Sequence, residues 1–222
     1  MRGNLIVIEG LDGSGKNTQA KLLFEHFSKE GKDVKYMSFP DYNCPSSALA
    51  KMYLDSEFGD KPTDVNPYAS ASFFAVDRFA SFKKNWGENY NSGETIICDR
   101  YTTSNTMYNM AKILESEWGE YLDWLYDYEY NKLELPKPDV VIYLDMPVDV
   151  SQDLMKKRYL GDNSKKDLYE KDIEYLKICE RAAKFVGVQD SWIAINCLKN
   201  GEIKSKQQMH EEILGAVMEK LN

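Results

Sequence analysis

The sequence predicts an α/β fold of three layers, with a five-stranded parallel sheet flanked by helices on both faces. Three observations lead there. Short apolar, β-branched runs recur along the chain, stretches of helical spacing separate them, and most of the runs are apolar throughout. Alternating strand and helix implies parallel pairing through helical crossovers, and a strand apolar at every position is covered on both faces. No internal repeat, low-complexity tract or Pro/Gly-rich linker interrupts the pattern, so residues 1–222 are read as one domain.

The first strand is Leu5–Glu9, and a glycine-rich turn leads from it into a helix from Asn17 to Lys29 that Gly31 stops. A second strand, Val34–Phe39, is followed by helical spacing over 46–57 and 67–86, then by a third strand, Thr95–Cys98. The longest stretch of helical period, 104–131, ends before Pro136-Lys137-Pro138. The fourth strand is Val140–Leu144. Helices from Pro147 to Arg158 and over 167–186 flank a polar loop, and a strand at Trp192–Asn196 precedes a closing helix over 203–221.

Composition narrows the partners. Hydrophobic residues make up 43% and charged residues 29%, as in a globular protein, and the net charge of −8 argues against nucleic acid or an anionic membrane as partner. An anionic small molecule stays compatible, because a pocket can be locally positive in an acidic protein. Cys44, Cys98, Cys179 and Cys197 have no metal-ligand spacing and read as reduced thiols. The apolar run near the N-terminus is too short for a signal peptide and Glu9 interrupts it, and no run of about 18 apolar residues could span a membrane. A cytoplasmic protein is expected.

Gly10-Leu11-Asp12-Gly13-Ser14-Gly15-Lys16-Asn17-Thr18 lies between the first strand and the first helix. This is GxxxxGK in the context that makes it a phosphate-binding loop. The glycines let backbone N–H groups face inward, the helix adds its positive dipole end, and Lys16 adds a full charge at the β- and γ-phosphates. The nucleotide-binding set is therefore Gly10, Gly13, Ser14, Gly15, Lys16, Asn17 and Thr18. Asn17 stands where Ser or Thr usually supplies a hydroxyl to Mg²⁺, and Thr18 lies one place further on. An amide oxygen can still ligate the metal, or carboxylates and phosphates can hold it.

The GTPase motif NKxD is absent, and the strand VVIYLD ends in Asp145 followed by Met146 and Pro147, unlike a mechanical ATPase. Asp99-Arg100-Tyr101 ends the third strand, where open parallel sheets bind ligands. Its carboxylate can hold metal-bound water or orient Arg100, whose guanidinium can grip a phosphate with two parallel bonds. Taken alone, such a pair is equally a surface salt bridge. The ordered set GLDGSGK, FFAVDR, CDRYTTSNTMY and KPDVVIYLDMPVDVS resembles the thymidylate kinase family over nearly the whole chain. FPxY after the second strand and SNxxY after DRY are most similar to a bacterial branch.

The resemblance implies a P-loop kinase fold with a short lid at about 156–168, and transfer of the γ-phosphate of ATP to dTMP in dTTP synthesis, with Mg²⁺ as cofactor. It implies that Phe74 stacks on thymine, that Arg78 hydrogen-bonds the base, and that Asn105, supported by Ser104, reads the base's amide edge. Tyr108 would crowd the sugar's 2′ position. Asp12 would contact the 3′-hydroxyl and help hold the metal. Phe39 and Tyr42 belong to the loop at the acceptor phosphate. Many relatives carry an arginine there; this chain has none, which leaves more of the anion to Arg100, with Asp99 beside it in the acceptor site.

The family's lid matches KKRYLGDNSKK, with Arg158, Lys165 and Lys166 as candidates for the catalytic cation, since Gly13 stands where one branch has an arginine. Tyr169 matches a residue that closes over the acceptor sugar, and Glu170 an acid near the metal; the metal set is Asp12, Asp99 and Glu170. Trp118, Tyr121, Trp124, Tyr126, Tyr128 and Tyr130 read as helix packing or part of a dimer surface. The resemblance implies a homodimer with ATP and dTMP as its small-molecule substrates. A deoxynucleoside kinase shares the loop, a DR-like motif and an aromatic pocket, and a binding module without catalysis would fit Asn17.

Overall fold

The computed structural model describes residues 2–160, 162 and 167–221. In it Leu5–Glu9 (β1), Val34–Ser38 (β2), Thr95–Asp99 (β3), Val140–Asp145 (β4) and Ile193–Asn196 (β5) form one sheet in the order β2-β3-β1-β4-β5. Every pairing in it is parallel, as predicted. The central strand β1 is buried along its whole length, the apolar run Leu5–Ile8 and the closing Glu9 alike. The strands differ from the predicted segments by a residue at an end: β2 stops at Ser38, β3 runs on to Asp99, β4 runs on to Asp145, and β5 starts at Ile193. These extensions bring acidic residues to the carboxyl edge of the sheet.

The helices are Lys16–Lys29 (α1), Ala48–Leu54 (α2), Pro67–Ser81 (α3), Gly87–Asn91 (α4), Thr102–Met110 (α5), Trp118–Tyr126 (α6), Val148–Arg158 (α7), Ile173–Gln189 (α8) and Lys206–Leu221 (α9). On one face of the sheet, Ala20, Leu23 and Phe27 of α1 and Ile213 and Val217 of α9 pack against Ile6, Ile8, Ile142 and Leu144. On the other, Met107 and Tyr108 of α5 and Cys179 and Ala182 of α8 cluster with Tyr143, while Trp86 and Tyr90 cover Leu5, Val7, Ile96 and Cys98. Each fully buried aliphatic side chain contributes roughly 1.5–3 kcal/mol, so the alternation of strands and helices is secured by its apolar faces.

Three helical expectations are corrected. The stretch 104–131 is not one helix: α5 ends at Met110, a short turn follows, and α6 begins at Trp118. The Trp118 indole donates to Met110 O at 2.8 Å, satisfying a carbonyl that a continuous helix would have bonded, and the Glu117 carboxylate accepts from Leu114 N at 3.0 Å. No proline or glycine marks this break, so the periodicity concealed it. The run over 67–86 starts where Asn66 caps α3, but changes to wider π winding at Phe82–Trp86 before α4. The run over 46–57 is a 3₁₀ turn at Pro45–Ser47 followed by the short α2. The last two helices begin later than predicted, at Ile173 and Lys206, and Leu198–Lys199 (β6) pairs with Glu202–Ile203 (β7) in an unpredicted hairpin.

Candidate active site

The carboxyl ends of β1, β2 and β3 open into a cleft of about 770 Å³. Its floor is the loop after β1. Gly13 has φ +84° and Gly15 φ +91°, backbone that favours glycine. A Cβ on Gly13 would lie 2.7 Å from Ser151 O, so this position has no room for a side chain, let alone the arginine one family branch carries there. Gly13, Gly15, Lys16, Asn17 and Thr18 line the cleft. Gly10 and Ser14 do not. They shape the loop from behind, with Gly10 N donating to Glu9 and the Ser14 hydroxyl buried against Gly10.

Above this floor lies a charge cluster. Asp12 accepts from Lys16 Nζ at 3.0 Å, from Tyr108 OH at 2.9 Å and from Arg100 Nη2. Burial works to raise the Asp12 pKa, but Arg100 and Lys16 outweigh it and hold the carboxyl well below the usual range. Arg100 also reaches Ser104 Oγ at 3.3 Å and lies over the Tyr108 ring, 5.3 Å from its centroid. It occupies left-handed backbone, φ +68°, which turns the chain sharply between β3 and α5. Beneath it sits Glu9, fully buried, accepting from Thr103 Oγ1 at 2.7 Å and from Ser104 Oγ; burial pushes its pKa up. Glu9 belongs to none of the motifs, and its only signal in the sequence is a charged residue closing an apolar strand.

Asn17 takes a definite position. Its amide donates to Asp99 Oδ2 at 2.9 Å and to Tyr36 OH at 2.9 Å. The other carboxylate oxygen of Asp99, Oδ1, is buried without a hydrogen-bond partner among the described residues. Asp12, Asp167 and Glu170 bring carboxylate oxygens within 4.8 Å of one another, and Asp99, expected with them in the metal set, lies outside this group. Burial and the Asp12 and Glu170 charges push Asp167 up to about 7. Hard oxygen donors gathered this closely suit Mg²⁺. Asp167 was missed, though its place three residues before Glu170 was a clue. Glu170 accepts from Tyr159 OH at 3.2 Å and Asp167 N at 3.1 Å.

The far end of the cleft is aromatic and buried. Phe74 meets Tyr53 edge-on at 6.2 Å, while Phe73 packs on Tyr53 and Phe58. Tyr169 lies against Tyr108 with ring centroids 4.7 Å apart and stacks on Tyr175 at 5.9 Å. Phe39 packs on Tyr101 at 5.8 Å, and Tyr42, which stays 53% exposed, lines the entrance. Arg78 and Asn105, both buried, line the cleft and are both bonded to Glu129. Exposed Arg158, the last residue of α7, also lines the cleft. Lys165 and Lys166 lie outside the described residues.

Residues 8–213 fit the family model described as thymidylate kinase. The chain belongs to the thymidylate kinase family. It is 34% identical over 174 residues to thymidylate kinase of Mycobacterium tuberculosis, spanning 77% of this chain and 79% of that one. To a probable thymidylate kinase of Pyrococcus abyssi it is 32% identical over 231 residues, covering 100% of this chain and 98% of that one. A solved structure of Candida albicans thymidylate kinase shares the fold, with a TM-score of 0.73 at 24% identity over 98% of this chain and 92% of that one.

Against the thymidylate kinase pattern, one cleft brings together Asp12, Lys16, Phe39, Tyr42, Phe74, Arg78, Asp99, Arg100, Ser104, Asn105, Tyr108, Arg158, Tyr169 and Glu170. What the pattern did not reveal is their mutual bonding. Asp99 is half engaged by Asn17, and Arg78 is half engaged by Glu129. The aromatic run after α5 packs among itself and its neighbours, with Trp124 on Tyr68 and Tyr128 and Trp118 on Phe185. Neither His26 nor His210 reaches the cleft; they meet edge to face at 5.7 Å between α1 and α9. Among the described residues no helix is long and apolar enough to cross a membrane.

Proposed function

We propose that this chain transfers the γ-phosphate of ATP to dTMP, giving dTDP and ADP, and that Arg100 is the hinge of the reaction. The observation that carries this reading is the position of Arg100. It stands between the phosphate loop and the polar base pocket, paired with Asp12, which also binds Lys16. A cation there can grip the acceptor phosphate while Lys16 neutralises the donor, and this is most of what phosphoryl transfer needs from a protein. Exchange of Asp12 for phosphate oxygens as partner of Arg100 and Lys16 turns a closed ion cluster into a substrate clamp.

The acceptor is itself an anionic phosphate, so no strong general base is required, and none is assigned. Tyr42 offers its hydroxyl at the phosphate, and Asp12 and Tyr108 face the sugar, with the Tyr108 ring opposing a 2′-hydroxyl. Phe74 stacks on the base, and Arg78 and Asn105 read its edge. Asp12, Asp167 and Glu170, with Asp99 beside Asn17, are the residues to hold Mg²⁺. When bound, the metal neutralises charge on the phosphate oxygens and orients them. Arg158 and the adjoining lid would cover the phosphates and keep out water that would hydrolyse ATP. We assign the chain to the cytoplasm and to a homodimer.

The test is ADP release from ATP·Mg²⁺ with dTMP, dUMP, dCMP, dGMP, AMP and thymidine as acceptors. Clear turnover with dTMP and little with thymidine is expected. Some activity with dUMP is compatible, since a methyl pocket is worth only about 1–3 kcal/mol. Turnover with thymidine but not dTMP would overturn the reading in favour of a nucleoside kinase.

A further inference from the structure

Glu129 belongs to none of the motifs. It lies in the π-wound segment Asp127–Lys132, far along the chain from the phosphate loop, and its side chain is fully buried. Its two oxygens receive four hydrogen bonds: from Arg78 Nε at 2.7 Å and Nη2 at 2.5 Å, from Thr102 Oγ1 at 2.9 Å, and from Asn105 Nδ2 at 2.8 Å. A group met by four donors is an acceptor only, hence an ionised carboxylate. Burial works against the charge on Arg78, but the Glu129 carboxylate outweighs it and the Arg78 pKa moves upward. The pair is therefore closed on itself as far as net charge goes.

What it leaves for a ligand is direction. The Asn105 amide has two N–H groups; one goes to Glu129 and the other to Ala71 O at 3.0 Å. Both neighbours can only accept, so the amide cannot be flipped without setting oxygen against oxygen. Asn105 can offer a ligand only Oδ1, which already accepts from Asn109 Nδ2 at 3.2 Å and keeps a second lone pair. Arg78 uses two N–H groups on Glu129 and one on Tyr101 O at 3.4 Å. Two of the five guanidinium N–H groups stay outside these contacts, and they can only donate. Both side chains line the cleft.

We propose that Glu129 is the positioning residue that sets the polarity of the base pocket, presenting an acceptor from Asn105 beside a donor from Arg78, and so selects a thymine edge over a cytosine edge. This rests on the reading of Arg78 and Asn105 as the residues that meet the base. Thymine offers an N3–H donor next to the O4 acceptor; cytosine offers the reverse, an N3 acceptor next to the N4 amine. In a buried pocket of fixed polarity, cytosine would set donor on donor and acceptor on acceptor. Unmade hydrogen bonds of that kind cost far more than a missing contact gains.

Glu129→Gln keeps the shape but leaves one accepting oxygen for four donors, so Arg78 and Asn105 can no longer both be held. The measurement is kcat/KM for dTMP and for dCMP with saturating ATP·Mg²⁺, in wild type, Glu129→Gln, Glu129→Asp and Asn105→Ala. Near-UV circular dichroism confirms which variants are folded. For Glu129→Gln the dTMP-to-dCMP ratio is expected to fall about 30-fold, with the loss for dTMP mainly in KM. Glu129→Asp retains the charge but withdraws it by one methylene, and the ratio should fall about fivefold; this variant carries the test if Glu129→Gln does not fold. A merely structural role would lower both acceptors alike and leave the ratio unchanged. If Asn105→Ala collapses the ratio while the folded Glu129 variants keep it, this inference alone is overturned. If Asn105→Ala also keeps it, the assignment of the base pocket falls first and takes this inference with it. Absence of dTMP turnover in the wild type would overturn the proposed function itself.

Discussion

The two ends of the cleft both rest on an arginine–carboxylate pair, and they use it in opposite ways. At the phosphate end Arg100 and Asp12 are partly open, with side chains 17% and 19% exposed, and Asp12 also shares Lys16 and Tyr108. At the base end Arg78 and Glu129 are sealed, at 2% and 0%. An open pair can exchange partners when an anion arrives, because its charges are not committed to one geometry. A sealed pair cannot, since separating it would strand a buried charge at a cost of several kcal/mol. The phosphate end thus supplies mobile charge for the transition state, whereas the base end supplies fixed donors and acceptors. Substitutions at the first should change rate for every acceptor; substitutions at the second should change the ratio between acceptors.

The largest expected effect is at the phosphate end. Lys16→Met should lower kcat about a thousandfold with dTMP and dUMP alike, measured as ADP release under saturating ATP·Mg²⁺. Arg100→Lys comes next. It keeps the charge but loses the two parallel bonds a guanidinium makes to a phosphate, and kcat/KM should fall about a hundredfold for each acceptor. An Arg100→Lys enzyme that loses dTMP while keeping dUMP would break the division between the two ends. Gly13→Ala sharpens it from the backbone side. The new Cβ would meet Ser151 O at 2.7 Å on backbone of φ +84°, so the loop must shift or α7 must move away. Stability should drop by about 2 kcal/mol, and a rise in the KM for ATP with an unchanged dTMP-to-dCMP ratio should accompany it.

The same contrast explains how much could be read beforehand. The phosphate end was legible because its chemistry is local in sequence: Gly13, Gly15 and Lys16 sit in one loop, and Asp99 and Arg100 are adjacent at a strand end. The strands were legible because burial on both faces leaves an unbroken apolar run, as in β1. The base end was legible only as isolated residues. Phe74, Arg78 and Asn105 could be matched one by one, but Glu129, which binds two of them, sits in an aromatic-rich stretch whose period resembles plain helix packing. The break between α5 and α6 escaped for a related reason. It is made by the Trp118 indole reaching back to Met110 O, a tertiary contact that leaves no proline or glycine behind. Long-range bonding, and not composition, set the limit.

The smallest effect is expected behind the base end, at Lys112. Its ammonium donates to Ser70 Oγ at 2.6 Å, Tyr53 OH at 2.9 Å and Val65 O at 3.1 Å, and lies 4.8 Å from the Tyr53 ring centroid. Cys179 is the titratable group nearest in influence, and its small upward pull is overcome by burial, which brings the Lys112 pKa down to about 7. The ordinary lysine value is about 10.4. Between the two values the unfolded chain holds a proton that the folded chain has released, so wild-type stability rises with pH across that window. Below pH 7 both states are charged, and the burial penalty is present in full. Relative to Lys112→Met, wild type should therefore gain up to about 1 kcal/mol per pH unit between pH 7 and 9, read from urea midpoints at each pH. The side chain does not line the cleft, so dTMP turnover at pH 7 should change little. A difference between the two proteins that stays flat from pH 6 to 9 would mean that the three oxygens hold the ammonium charged against its burial, making this a second sealed charge beside Arg78.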